Sequence, residues 1–340
     1  MAPRARRETL YTEDPLIVVK SQDANKHQKL AFDSSGFPSS DLEIDPNRTL
    51  AAAVVEKVMA LHKKLRMLHS LVPDLKVNQV FNELVSLCLQ PFDEDVVDRV
   101  LRNDRVKEIV PTLRSICSAG ESELECYWSD RIIAKHHKRQ TLLGFDEALS
   151  AFPYYQNYVD ITDVEASLIR STLPKNVEPE HITFIGSGPL PLTSFMLSKH
   201  HFPNAKVTNV DFDIQALAAS KKLTYLLGLN SKIDMMHAEA SNVPTSVLEG
   251  SDVVYLAALV GLSLAEKFTI LCSMASKLKY GALLVVRSAH GLRGLLYPVL
   301  DVDRLDYDLV DLDLVTEWIP NNSDIVNSVV IFRKREILLQ

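Results

Sequence analysis

The sequence predicts an α/β fold: a parallel, doubly wound sheet in the second half, closed by an antiparallel hairpin, with a helical bundle ahead of it. Three observations predict this. The apolar segments ITFIG (182–186), KVTNVD (206–211), IDMMH (233–237), DVVYLAA (252–258) and ALLVVRS (282–288) alternate with helical patterns at 190–201, 213–228 and 264–278. Such alternation builds a parallel sheet with helices on its faces. LVDLDLVTEWI (309–319) and NSVVIFRK (327–334) flank the turn residues PNNSD, which reads as an edge hairpin. Before Pro174 the apolar residues recur every three to four positions instead.

In chain order, residues 1–44 are rich in Ser, Asp, Lys and Pro without sustained periodicity and are expected to be mostly a disordered tail, although LIVVK (16–20) could add a short packing segment. Asp45-Pro46 opens the first helix as an N-cap acid and a first-turn proline, followed by Leu50, Val54, Val55, Val58, Leu61, Leu65 and Leu68. Similar spacing predicts helices at 76–90, 93–116 and 121–136. FPYYQNY (152–158) closes this bundle as a proline turn, and a helix at 161–172 leads out. The expected organisation is therefore a tail (1–44), a helical lid or substrate domain (45–174) and a nucleotide-binding domain (175–340). A length of 340 residues and 46% apolar composition suffice for two cores.

Charge and cysteine usage narrow the partners. A net charge of -7 gives no concentrated basic face for nucleic acid, so small-molecule ligands are expected. The four cysteines, Cys88, Cys117, Cys126 and Cys272, lack zinc-knuckle or CxxC spacing and read as buried thiols of a reducing compartment. With no uninterrupted apolar run of membrane-spanning length, and Arg4, Arg6, Arg7 and Glu8 where a signal peptide needs apolar residues, a cytoplasmic protein without membrane association is expected. A homodimer is compatible with all of this. Glycine is scarce, yet eight of the 11 fall between Gly186 and Gly294, which points to close backbone approach to a ligand in the second half.

ITFIGSGPLPLTSFML reads as strand, Gly-Ser-Gly turn and helix. Gly186 and Gly188 permit the turn, with Ser187 and Pro189 between and after them, and the helix start offers unsatisfied N–H groups. Pro191 stands where a dinucleotide fingerprint needs its third glycine, which disfavours a pyrophosphate ligand. Asp211 ends the second strand, followed by Phe212, where an acid holds ribose hydroxyls; Asp213 suits a helix N-cap. Glu239 lies near the expected adenine edge, with a solvated loop acid as its plain alternative. Ala257 lies near the end of the fourth strand and Leu259 follows it, and the apolar Leu259-Val260-Gly261 argues against the acidic-polar motif of amino-methyltransferases. The pattern favours S-adenosylmethionine, a nucleoside without phosphates, and hence a Rossmann-like, class I S-adenosylmethionine-dependent transferase domain.

Beyond these readings, FPYYQNY (152–158), FIGSGPLPLTSFML (184–197), DVVYLAALVG (252–261), RSAHGLRGLLYPV (287–299) and DIVNSVVIFRK (324–334) closely resemble nicotianamine synthase of plants and filamentous fungi, over residues 48–334. That resemblance implies transfer of the 3-amino-3-carboxypropyl group of S-adenosylmethionine, three such groups being joined and one closed into an azetidine ring, with 5'-methylthioadenosine leaving. It also implies that the product chelates metal while the enzyme needs none. The neighbouring pairs His136-His137 and His200-His201 fit that, since neither comes with a third ligand at metal spacing.

Attack by an amine requires a base, because the amine is protonated near neutral pH. The resemblance assigns this to a glutamate in ESELECYW, which by position is Glu125; Glu121 shares its helix face one turn earlier, and Glu123 points elsewhere. Tyr154 is the expected catalytic partner, and Tyr155 and Tyr158 are expected to hold the substrate amine or carboxylate, one of the three being core. Arg287 and Arg293 are the expected partners of the substrate carboxylates, with His290 donating beside them. The competing readings are an aminocarboxypropyltransferase that makes a shorter opine-like metallophore precursor, an ordinary methyltransferase, and a non-catalytic protein of the same fold.

Overall fold

The computed structural model describes residues 45–139, 144–305, 311–321 and 324–335; the expected tail lies outside these residues, as do positions 309 and 310 of the first hairpin strand and part of its turn. Five helices precede the first strand region's lead-in helix: α1 (Pro46–Arg66), α2 (Leu75–Leu89), α3 (Glu94–Arg102), α4 (Asp104–Arg139) and α5 (Phe145–Leu149), then α6 (Tyr155–Thr172). The Asp45 carboxylate accepts the N–H groups of Asn47 and Arg48 at 3.0 and 3.3 Å, so the first helix starts at Asp45-Pro46 as its sequence predicts.

Helices predicted at 93–116 and 121–136 are partitioned differently. The break falls at Asn103, whose side chain accepts from the N–H groups of Arg105 and Val106 and thereby caps α4. From there α4 runs through Pro111 and Gly120 without interruption. Gly120 is a contact and not a stop, because a Cβ there would collide with the ring of Phe81 from α2. The expected proline turn at 152–158 is likewise mostly helix. Tyr154 is the N-cap of α6, and Tyr155 and Tyr158 lie in its first turn, which sends them towards one face.

The second half forms one seven-stranded sheet in the order β3-β2-β1-β4-β5-β7-β6, from β1 (His181–Ile185), β2 (Lys206–Asp211), β3 (Ile233–His237), β4 (Val253–Leu256), β5 (Leu283–Ser288), β6 (Leu312–Trp318) and β7 (Ser328–Lys334). The pairings among β1 to β5 are parallel, and β7 runs antiparallel to β5 and β6. Its helices are α7 (Leu192–Met196), which continues as a π-turn to His201, α8 (Ile214–Leu226), α9 (Thr245–Glu249) and α10 (Leu264–Ala275). Strand order reverses between β1 and β4. Ligands of open parallel sheets bind at the carboxyl edge of such a reversal.

Three apolar clusters set this edge in place. On one sheet face Phe184, Tyr255, Val285 and Ile331 pack against Ile161 and Ile169 of α6 and Phe195 of α7. On the other, Val210, Val254, Leu284 and Phe332 meet Leu271 and Met274 of α10. The bundle core of Val58, Leu61, Leu84, Val96 and Leu113 is closed by Leu292, Leu295 and Leu296, which follow β5. Helices α1 to α4 are thus sealed by the segment that leaves the sheet. Leu295 is fully buried there. Leu295→Ala is expected to lower unfolding free energy by about 2–5 kcal/mol in urea titration; a loss under about 0.5 kcal/mol would mean that the bundle core closes without this segment.

Candidate active site

Gly186 and Gly188 take positive φ values of 80° and 66°, conformations that an L side chain resists. Close contacts reinforce the choice. The space of a Cβ on Gly186 is filled by Val260 Cγ2, with Ala257 Cβ at 3.1 Å, and a Cβ on Gly188 would lie 2.5 Å from Glu125 Oε2. The glycine turn is therefore pressed between the loop after β4 and a carboxylate of α4. Asp211 holds it from a third side: Oδ2 accepts Gly188 N–H at 2.8 Å and Oδ1 accepts Asp213 N–H at 2.9 Å. Burial raises the Asp211 pKa, against the lowering by these amides. Asp213 caps α8, as its spacing suggests.

These groups open onto a cavity of about 350 Å³, within the range of small-molecule sites. Of the residues expected from the sequence, Gly186, Ser187, Gly188, Pro189, Asp211, Phe212, Glu239, Ala257, Leu259, Tyr158, Glu125 and Arg287 line it. The Ser187 hydroxyl is buried without a protein partner among the described residues, leaving a polar group for a ligand. Phe212 is 66% exposed beside Asp211, an unpacked aromatic face at the rim.

The acid pair is built by α4. Glu121 and Glu125 both line the cavity, each bound to a phenol: Tyr158 donates to Glu125 Oε1 at 3.0 Å and Tyr297 donates to Glu121 Oε2 at 2.9 Å. Burial pushes the Glu125 carboxyl well above the usual carboxylate range, the neighbouring Glu121 charge adds to this, and the Tyr158 hydrogen bond opposes it. Glu121 is also raised, by burial first. Burial and the adjacent carboxylates raise both phenols, so Tyr158 and Tyr297 stay protonated and act as donors. A carboxylate of raised proton affinity in a dry site is a competent base.

Other expected residues lie elsewhere. Tyr154 does not line the cavity; it packs on Phe152 at a ring separation of 6.0 Å, and its phenol is pushed up to about 12 by burial. Tyr155 joins the same apolar cluster. His290 is exposed outside the cavity, and Arg293 is buried in the turn after it, next to Cys88 and Asp324. Arg287 reaches the cavity, but its guanidinium is engaged: Nε and Nη2 donate to the two oxygens of Glu165 at 2.7 and 2.9 Å, and Nη2 also donates to Thr193 at 2.7 Å. Nε and Nη2 are thus committed to the scaffold, and the expected role as carboxylate clamp rests on Nη1. A buried guanidinium needs a resident counter-charge, and Glu165, fully buried on α6, provides it.

Glu165 and Tyr297 are the residues that the sequence reading passed over. Glu165 stands seven positions after Tyr158, two turns along the same face of α6, and a lone acid in that apolar pattern was the available signal. Its consequence reaches the base. Arg287 sits over the Tyr158 ring, 5.7 Å from its centroid, and Tyr158 holds Glu125. Glu165→Gln leaves the Arg287 charge buried without its counter-ion and is expected to cost about 3–5 kcal/mol of stability by urea denaturation. A change under about 1 kcal/mol would show that Thr193 and solvent suffice to hold Arg287.

Comparison with known proteins identifies the relatives of this chain. The family model described as nicotianamine synthase protein matches residues 46–338. Nicotianamine synthase 2 of Oryza sativa subsp. japonica is 34% identical over 293 residues, covering 84% of this chain and 83% of the relative, and the probable nicotianamine synthase 2 of Hordeum vulgare is 35% identical over 286 residues, covering 83% and 80%. Among solved structures, a MtNAS mutant in complex with S-adenosylmethionine aligns with a TM-score of 0.66 at 19% identity, covering 83% of this chain and 98% of that one. MtNAS in complex with MTA and tNA aligns at 0.63 and 20% identity, covering 88% and 100%. At those identities the likeness establishes the shared fold, a class I S-adenosylmethionine-dependent transferase fold. By the family match and the identity to the plant enzymes, this chain belongs to the nicotianamine synthase family.

Proposed function

We propose that this chain condenses three S-adenosylmethionine molecules into nicotianamine at the cavity between α4 and the carboxyl edge of the sheet, with Glu125 as the base. The observation that carries the reading is the buried Glu125 carboxylate held by Tyr158 against the Gly188 turn. The nucleoside lies along Gly186, Ser187 and Gly188. Each Asp211 oxygen spends one lone pair on the backbone and keeps another for the ribose hydroxyls. Phe212 and Glu239 border the base end, and Ala257 and Leu259 form an apolar wall near the reacting carbon.

The step follows from charge. An α-ammonium of the acceptor gives its proton to Glu125, the freed nitrogen attacks the carbon bound to the sulfonium, and the carbon–sulfur electron pair leaves with sulfur as neutral 5'-methylthioadenosine. Two transfers between molecules and one ring closure within the chain release three methylthioadenosines and three protons. A cavity of low polarity favours this step because the positive charge of the sulfonium is spread over sulfur and the attacking nitrogen as the carbon–sulfur bond breaks, and ends on that nitrogen. Glu121, Glu125, Asp211, Asp213 and Glu239 all line the cavity and surround the cationic groups with negative charge. Among the described residues one Gly186–Gly188 turn serves the nucleoside, so each S-adenosylmethionine occupies the same place in succession. No group of three metal-ligating side chains occurs among the described residues, and no described helix is long and apolar enough to cross a membrane. Cys88 and Cys117 are buried free thiols, in keeping with a reducing, cytoplasmic setting.

Incubation with S-adenosylmethionine alone, read by mass spectrometry, is expected to give nicotianamine and methylthioadenosine. Glu125→Gln keeps the shape but cannot take the proton, and turnover is expected to fall by about 10² to 10⁴ with nucleoside affinity little changed. S-adenosylhomocysteine as the main nucleoside product would overturn the reaction. Near-normal methylthioadenosine production by Glu125→Gln would overturn the assignment of the base.

A further inference from the structure

Lys267, in the first turn of α10, is wholly buried, and among the described residues its amine meets two backbone carbonyls and no carboxylate. It donates to Ala257 O at 3.3 Å and to Ala258 O at 3.1 Å. An apolar residue would fill this place at lower desolvation cost. Burial, and then the charge of Arg114, bring the Lys267 pKa down to about 7, so the amine carries little of the penalty of a fixed buried charge at neutral pH while retaining its donors.

The carbonyls that it holds belong to the loop lining the cavity, Ala257 to Gly261. At its start, Ala257 N–H donates to Ile185 O of β1 at 3.0 Å. Inside it, Val260 N–H closes a turn on Ala257 O at 3.2 Å, and the Val260 methyl occupies the space left by the missing side chain of Gly186. At its end, Gly261 has φ of 74°, and a Cβ on it would lie 2.9 Å from the Lys267 backbone nitrogen. Glu266 accepts the N–H groups of Leu262 and Ser263 at 2.9 and 3.3 Å. β1 thus holds the start of the loop and the first turn of α10 holds its end. The link in the middle is the Lys267 amine, and its path continues through Val260 to the glycine turn.

We infer that Lys267 is a positioning residue for the nucleoside: by drawing the Ala257 and Ala258 carbonyls onto α10, it sets Val260 and Leu259 against the Gly186 turn in the register that S-adenosylmethionine requires. It touches neither the base nor the reacting carbon. Its loss therefore acts on nucleoside binding and spares the chemical step. The inference rests on S-adenosylmethionine being the substrate.

The test is Lys267→Met, with similar length and no donor, beside Lys267→Gln, which keeps a donor on a shorter arm. Loss of two hydrogen bonds should raise KM for S-adenosylmethionine about tenfold to a hundredfold while kcat stays within about threefold, with a smaller KM rise in the Gln variant. Amide exchange at 257–262 should quicken in both. A folded Met variant with KM within about twofold of wild type, or with kcat reduced and KM unchanged, would overturn the proposal. If the Met variant does not fold, the Gln variant decides by the same KM and kcat criteria. If the wild-type chain fails to consume S-adenosylmethionine, the substrate reading falls, and amide exchange still judges Lys267: unchanged exchange at 257–262 in the variants would overturn its hold on the loop.

Discussion

The site depends on one approach: the Glu125 carboxylate of a bundle helix lies against the backbone of Gly188, in a place where any side chain would displace it. Two halves with different periodicities meet at that point. Burial there raises the proton affinity of the base, and the neighbouring Glu121 charge adds to it. Gly188 must be glycine twice over, for its positive φ and for the oxygen beside it. The remaining arrangements follow from keeping this contact. Tyr158 donates to Glu125, Asp211 fixes the Gly188 amide, and Ser129 of α4 donates to Pro189 O at 2.9 Å, so helix and turn are joined one helical turn beyond the acid.

Charge is managed by separating resident pairs from groups left for a ligand. The cavity's arginine is matched within the protein by Glu165, and its guanidinium lies between the Tyr158 and Phe184 rings at 5.7 Å from each. What remains toward the cavity is acidic. That balance suits a ligand carrying cationic groups, and the buried Ser187 hydroxyl adds a neutral polar group beside it. Arginine at the end of a strand thus serves the scaffold, while its position beside the cavity orients the phenol that serves the base.

The sheet was legible because its central parallel strands β4 and β5 are buried on both faces and read as short apolar runs; β2, β3 and the end of β7 coincide with their sequence segments. The glycine turn, Asp211 and the N-cap Asp213 were legible because backbone conformation and capping are local. Long-range partners were not. Glu165 is 122 positions from Arg287, and no spacing rule joins a strand end to a helix face at that separation. Helices expected at 93–116 and 121–136 are divided instead at Asn103, and Gly120 inside α4 serves a contact with Phe81 of another helix, which no local spacing shows. Tyr154 was expected beside the base, but it is the N-cap of α6 and packs on Phe152, while Tyr158 in the first turn reaches Glu125. The role of Glu125 came from resemblance, whereas its burial and its phenol came from the fold.

The central claim is that Glu125 is a buried base of raised proton affinity, and its titration measures this directly. In protein labelled with ¹³C at glutamate side chains, the resonance absent from Glu125→Gln identifies the group, and its pH dependence can be followed in the wild-type chain. The account predicts a midpoint well above the ordinary glutamate value of about 4.3, moved downward when a cationic substrate analogue fills the cavity. A Glu125 midpoint at the ordinary value, unmoved by the analogue, would contradict it.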